Sequence, residues 1–109
     1  MALHYRDNAS ATRTLALEIG APSAPRSLTV RADVADPEQV RHMVDDVVIT
    51  FGGIDVLVCA AGVHKDALRV TSSLQDWDYL VGVNLRGSHL CARATLRAMV
   101  RAGSCWCPR

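Results

Sequence analysis

Three short stretches of the sequence carry groups that suit a bound nucleotide. They are Arg6 with Asp7, then Asp33, then the run Ala60, Ala61 and Gly62. The planar guanidinium of an arginine suits a phosphate, and a carboxylate accepts hydrogen bonds from amino or hydroxyl groups. A run of small residues that ends in glycine lets a sugar or ring approach the main chain closely. Together the three stretches fit a nucleotide better than any one of them does alone.

Each stretch also has an ordinary structural explanation. Arg6 and Asp7 are typical of a solvated turn, Asp33 is typical of a loop cap, and Ala-Ala-Gly is typical of a tight turn. Their common position favours a binding site, because each stretch lies at the carboxyl end of a predicted strand. In open parallel sheets, ligands bind outside the carboxyl ends of the strands.

The predicted strands and helices alternate along the chain. Strands are predicted at residues 2–5, 27–32 and 54–60, and helices at 8–19, 36–51 and 73–102, the last interrupted near 84–87. The third strand is fully apolar, as is typical of a strand buried on both faces of a parallel sheet. This order indicates an α/β fold in which a doubly wound parallel sheet lies between two layers of helices.

Length and charge narrow the class of protein. The 109 residues suffice for one domain, predicted over residues 1–103 and followed by an unstructured tail at 104–109. A net charge of +1 and basic runs of two residues at most argue against nucleic acid or an anionic membrane as a partner. No apolar stretch approaches the roughly 20 residues that span a bilayer. Charges near the start argue against a signal peptide, so the expected location is cytoplasmic.

The four cysteines and four histidines show no metal-ligand spacing, so no metal site is predicted. Cys59 and Cys91 are expected to be small buried hydrophobic residues rather than a disulfide pair. Cys105 and Cys107 have no further cysteine or histidine nearby, and a disordered tail is the preferred interpretation.

Two of these segments resemble the short-chain dehydrogenases/reductases, in particular the 3-oxoacyl-[acyl-carrier-protein] reductase branch, over roughly residues 1–103. The segment RADVADPEQV resembles the family segment whose aspartate, here Asp33, holds the adenine amino group with help from the next backbone group, here Val34. The segment VLVCAAGV resembles the family's Asn-Asn-Ala-Gly strand end, with Cys59 and Ala60 replacing both asparagines.

A third segment, DWDYLVGVNLRGSHL, resembles the helix that carries the family's catalytic asparagine, here Asn84. In the family, a kink at this residue frees a backbone carbonyl to hold a water in a proton relay to a Tyr-Lys pair. The resemblance also assigns to Arg6 the 2′-phosphate of NADP, whereas an acidic residue at this position would bind the ribose of NAD. Because the acidic residue Asp7 is adjacent to Arg6, NAD remains the less favoured alternative cofactor.

The resemblance implies hydride transfer between a nicotinamide and a carbonyl or alcohol carbon, with tyrosine, lysine and serine as catalytic residues. The family's Y-x-x-x-K motif is absent, because the residue four positions after Tyr5 is Ala9 and the residue four positions after Tyr79 is Val83. The glycine-rich G-x-x-x-G-x-G turn is absent as well. The expected fold is therefore an incomplete Rossmann-like sheet that lacks the family's first strand and its C-terminal half.

Three functions remain open. In the first, the chain is a fragment of an NADP(H)-dependent enzyme that reduces a small-molecule ketone, such as a 3-oxoacyl group. The fragment is then expected to be inactive by itself. Alternatively, it is a non-catalytic relative that pairs with full-length family members through residues 73–102, the helix that forms the family's homo-oligomer interface. An unrelated flavodoxin-like module is disfavoured by the three spaced motifs. With the first strand absent, residues 54–60 are expected to be better ordered than residues 1–25.

Overall fold

The structure, a computed structural model, describes residues 1–20, 27–66 and 70–103. In chain order, its elements are strand β1 (Ala2–Tyr5), helix α1 (Ala9–Ile19), strand β2 (Leu28–Arg31), helix α2 (Pro37–Phe51), helix α3 (Leu74–Val81), a π-helical turn (Gly82–Gly87) and helix α4 (Ser88–Arg101). The predicted tail at 104–109 lies outside the described residues. None of the described helices is both long and apolar enough to cross a membrane.

The first two strands form a parallel pair, as the sequence predicts. β1 and β2 pair in the register Ala2 with Leu28 through Tyr5 with Arg31. α1 connects them, and Asn8 caps its first turn by accepting a hydrogen bond from the Ala11 N–H at 3.0 Å. A local contact at Asn8 therefore fixes where the chain leaves β1 and begins α1.

The predicted third strand is wrong. Among the described residues the sheet has only the strands β1 and β2, and residues 54–60 form no strand. Val56 and Val58 are 78% and 80% exposed. A strand is held by hydrogen bonds to a neighbouring strand, and none of the described residues supplies one here. The expected three-layer, doubly wound sheet reduces to a two-stranded, partial Rossmann-like fold, in which residues 54–60 are not a strand.

α2 begins where the sequence predicts a helix, with Asp36 as its cap. Asp36 Oδ1 accepts hydrogen bonds from the N–H groups of Glu38 at 2.9 Å and Gln39 at 3.4 Å, and Pro37 is the first helical residue. The Gln39 side chain also donates to Asp36 Oδ2 at 2.9 Å. These contacts, led by the one from the Gln39 side chain, lower the pKa of the Asp36 carboxyl.

A small core lies where the loop after β2 meets α2, the π-helical turn and α4. Its buried members are Val34, Val40, Val83 and Cys91. Burial raises the pKa of the Cys91 thiol, and the prediction that Cys91 is buried is confirmed. The same prediction for Cys59 is wrong, because that residue lies in the exposed segment 54–60.

Candidate functional site

A shallow cavity of about 270 Å³ lies beyond the carboxyl ends of β1 and β2. Its lining residues are His4, Tyr5, Arg6, Ala32, Asp33, Val34, Ala60, Ala61, Gly62, Val63 and Val83. The three stretches singled out in the sequence therefore meet at one place, although residues 54–60 form no strand. Cys59 does not line this cavity in the described part of the chain.

Arg6 is held in place at the end of β1 by two side chains. Its Nε donates to Asp7 Oδ2 at 2.6 Å, and its Nη1 donates to the Tyr79 hydroxyl at 2.8 Å. The guanidinium carbon also lies 5.9 Å from the centre of the Tyr79 ring, within cation–π range. The hydrogen bond to Tyr79, followed by the contacts with Asp7, raises the pKa of Arg6 above its ordinary value.

Asp33 shapes the loop between β2 and α2. Its Oδ1 accepts from the Ala35 N–H at 2.9 Å, its own N–H donates to Gln39 Oε1 at 2.9 Å, and its carbonyl accepts from the Asp36 N–H at 3.0 Å. The carboxylate is thus a loop cap, as the ordinary interpretation predicts, and it also lines the cavity. The two interpretations of Asp33 are compatible.

Asn84 holds the loop that follows the small-residue run. Its Oδ1 accepts from the Val63 N–H and its Nδ2 donates to the Val63 carbonyl, both at 2.8 Å. A Cβ added at Gly62 would lie 3.2 Å from Asn84 Oδ1, so a side chain there would crowd this contact. The glycine therefore permits the close approach of the loop to the helix.

The helix interruption predicted near Asn84 is the π-helical turn Gly82–Gly87. Such turns are rare, and many lie at functional sites. The Asn84 carbonyl accepts a hydrogen bond from Ser88 Oγ at 3.1 Å. The predicted interruption of the helix is thus confirmed, and the Asn84 carbonyl already accepts a hydrogen bond from a neighbouring hydroxyl.

The sequence reasoning missed the contacts that Lys65 and Arg6 make with side chains of α3. Lys65 forms an ion pair with Asp76, which also closes a capping box with Ser73 at the start of α3. The contact with Lys65, followed by that with Ser73, lowers the pKa of the Asp76 carboxyl. The Ser-x-x-Asp spacing signals the capping box, whereas no local pattern signals the Lys65 contact or the pairing of Arg6 with Tyr79.

The sequence of the chain is similar to those of known reductases and dehydrogenases. A protein-family model described as enoyl-(acyl carrier protein) reductase matches residues 1–107. The 3-oxoacyl-[acyl-carrier-protein] reductase FabG of Staphylococcus aureus is 33% identical over 104 residues, which are 95% of this chain and 42% of that protein. The D-threitol dehydrogenase of Mycolicibacterium smegmatis is 39% identical over 97 residues, covering 88% of this chain and 36% of that protein.

Solved structures of dehydrogenases also superimpose closely on this chain. A short-chain type dehydrogenase/reductase from Mycobacterium marinum superimposes with a TM-score of 0.86 at 35% identity, covering 94% of this chain and 40% of the other. A short chain dehydrogenase from Burkholderia cenocepacia, in complex with NADP, gives 0.83 at 33% identity, with 89% and 39% covered. The chain therefore spans about two fifths of the length of the relatives it matches.

Proposed function

This chain belongs to the short-chain dehydrogenase/reductase family, and on that premise we propose that it is part of an NADP(H)-dependent oxidoreductase. The reaction proposed for the whole protein is the reduction of a small-molecule ketone, such as a 3-oxoacyl group, to the hydroxy compound. The observation that carries this proposal is the meeting of Arg6, Asp33 and residues 60–62 around one cavity.

The adenosine end of the cofactor is the part that fits this cavity. Its volume of about 270 Å³ lies just below the roughly 300–1,000 Å³ of pockets that enclose a whole drug-sized ligand. Asp33 accepts from the adenine amino group, and the backbone of Val34 assists. The low side-chain bulk of residues 60–62 lets the ribose approach the main chain. Cys59 is assigned to the cofactor-binding residues by resemblance alone, since it is not among the described residues that line the cavity.

Arg6 favours NADP over NAD. Its guanidinium is suited to the 2′-phosphate that distinguishes the two cofactors. The Burkholderia cenocepacia relative holds NADP in its crystal structure, which supports the same choice here. Asp7 opposes it, because this carboxylate is bonded to Arg6 and reduces the positive charge offered to a phosphate.

When bound, NADP(H) supplies or accepts the hydride. Asn84 holds the loop beside the small-residue run through Val63, and by resemblance it takes part in the family's proton relay. The acid/base pair of that relay, Y-x-x-x-K, is absent from these 109 residues. We therefore propose that this chain has no reductase activity by itself.

Activity is tested with the full chain, NADPH and a 3-oxoacyl thioester. We expect no NADPH oxidation above a control without protein, while the Staphylococcus aureus reductase serves as the active reference. Turnover that exceeds the control and is lost in Asn84→Ala would show that these residues contain an acid/base group after all.

Cofactor binding is tested by titrating NADPH and NADH. We expect NADPH to bind with a dissociation constant weaker than about 10 μM, which corresponds to about 7 kcal/mol, and to bind more tightly than NADH. Arg6→Gln should remove that preference, whereas Arg13→Gln on α1, an exposed arginine outside the cavity, should keep it. Equal binding of both cofactors by the unmodified chain contradicts the NADP proposal.

A second candidate function rests on the outer face of α4. Leu96 and Val100 are 50% and 63% exposed there, which suits a contact with another helix. We propose that residues 73–102 pair with a second copy of the chain or with a full-length family member. Native mass spectrometry should detect dimers that Leu96→Glu abolishes and Leu17→Glu, on α1, preserves. A chain that stays monomeric alone and with the Staphylococcus aureus reductase contradicts this candidate.

A further inference from the structure

We propose that Tyr79 on α3 is a positioning residue that orients the Arg6 guanidinium for the 2′-phosphate of the cofactor. The inference rests on the proposed function, because it assumes that Arg6 meets that phosphate. Its structural basis is a hydrogen bond of 2.8 Å between two side chains that lie 73 residues apart in the chain. Tyr79 thus links the end of β1 to α3 at the rim of the cavity.

The remaining donors of Arg6 are arranged for an anion. Of the five N–H groups of a guanidinium, Asp7 occupies the one on Nε and Tyr79 occupies one on Nη1. The other three lie on the same rigid plane, which matches the spacing of two phosphate oxygens. Fixing that plane before the ligand arrives reduces the entropic cost of ordering the side chain on binding.

Tyr79 orients Arg6 without neutralising it. The hydroxyl is an uncharged acceptor, and the ring face lies 5.9 Å from the guanidinium carbon. Asp7 also fixes the side chain, but its negative charge competes with a phosphate for the same cation. The hydrogen bond to Tyr79 is the largest cause of the raised pKa of Arg6, as expected for a contact that favours the charged form.

A purely structural link between β1 and α3 makes a different prediction from a positioning role. Loss of a structural link weakens the binding of every ligand in the cavity alike. Loss of a positioning contact weakens the binding only of ligands that carry a 2′-phosphate. The side chain of Tyr79 is not among those lining the cavity, so a direct effect on the adenine or ribose is not expected.

The test uses the full chain with two probes, adenosine 2′,5′-bisphosphate and adenosine 5′-monophosphate, titrated by NMR or calorimetry. The unmodified chain should prefer the bisphosphate, and Arg6→Gln should remove that preference. Tyr79→Phe keeps the ring and removes the hydroxyl. It should reduce the preference by about threefold to tenfold, the range for one hydrogen bond, and leave binding of the monophosphate unchanged.

The double variant Arg6→Gln/Tyr79→Phe completes the cycle, and in it the loss of the hydroxyl should have no further effect. A Tyr79→Phe variant with the full preference overturns this inference and leaves the proposed function intact. Equal weakening of both probes makes Tyr79 a structural link and also overturns it. An unmodified chain without any preference overturns the assignment of Arg6 to the 2′-phosphate, and this inference with it.

Discussion

Replacing Gly87 by alanine should destabilise the chain, whereas the same change at Gly82 should not. Both glycines lie in the π-helical turn with right-handed helical backbone angles. A Cβ at Gly87 would lie 2.8 Å from Cγ2 and 3.2 Å from Cβ of Val34, a member of the buried core. A Cβ at Gly82 would meet nothing within 4 Å. The two variants therefore differ chiefly in what the added methyl group meets.

The expected magnitude follows from two opposing effects. Alanine is favoured over glycine in a helix by about 1 kcal/mol, so Gly82→Ala should be as stable as the unmodified chain or up to about 1 kcal/mol more stable. At Gly87, the methyl group overlaps a carbon that prefers a separation of about 3.5–4.0 Å. Overpacking of this kind costs about 1–3 kcal/mol. Gly87→Ala should therefore be about 1–3 kcal/mol less stable than Gly82→Ala.

Urea and thermal unfolding of the two variants measure this difference. For a domain of this size, 1 kcal/mol corresponds to roughly 4–8 °C in Tm. Val34→Ala removes the overlapping Cγ2 methyl group, so the double variant with Gly87→Ala should lose less stability than the sum of the two single changes. A Gly87→Ala variant at least as stable as Gly82→Ala would refute the close approach between the helix and the loop after β2.

Three further predictions concern ordering, acid stability and the loop beside the cavity. Amide hydrogens of residues 3–5 should exchange more slowly than those of residues 56–59, because only the former lie in a paired strand; the opposite order, measured by mass spectrometry, would restore the third strand. The lowered pKa of the Asp76 carboxyl, whose ordinary value is 3.8, gives stability that is present above that value and is lost as the pH falls through the folded-state pKa. Asp76→Asn should therefore flatten the loss of stability below about pH 5, and an unchanged acid side of the unfolding profile would contradict the assigned contacts. Asn84→Ala removes two hydrogen bonds to Val63, each contributing about 0.5–1.5 kcal/mol, and should speed exchange of the Val63 amide while Ser88→Ala leaves it slow; equal exchange in both variants would mean that the loop is held by other contacts.

The sequence by itself determined the elements whose signals are local. Asn8 caps α1, and Asp36 followed by Pro37 starts α2, because these side chains satisfy backbone groups only a few residues away. The interruption near Asn84 was also predicted, since the segment around it resembles a helix that is kinked in its family. Even the meeting of Arg6 and Asp33 around one cavity followed from strand order, because parallel strands end at the same edge.

Only the tertiary structure decided which apolar segment is a strand and which side chains meet. Residues 54–60 have the composition of a buried strand, yet they form none, and Cys59 is exposed with them. The bonds from Asn84 to Val63 and from Arg6 to Tyr79 join residues 21 and 73 positions apart. Strand pairing and side-chain contacts of this kind depend on a partner that is distant in the chain, so composition and spacing around either residue carry no signal of them.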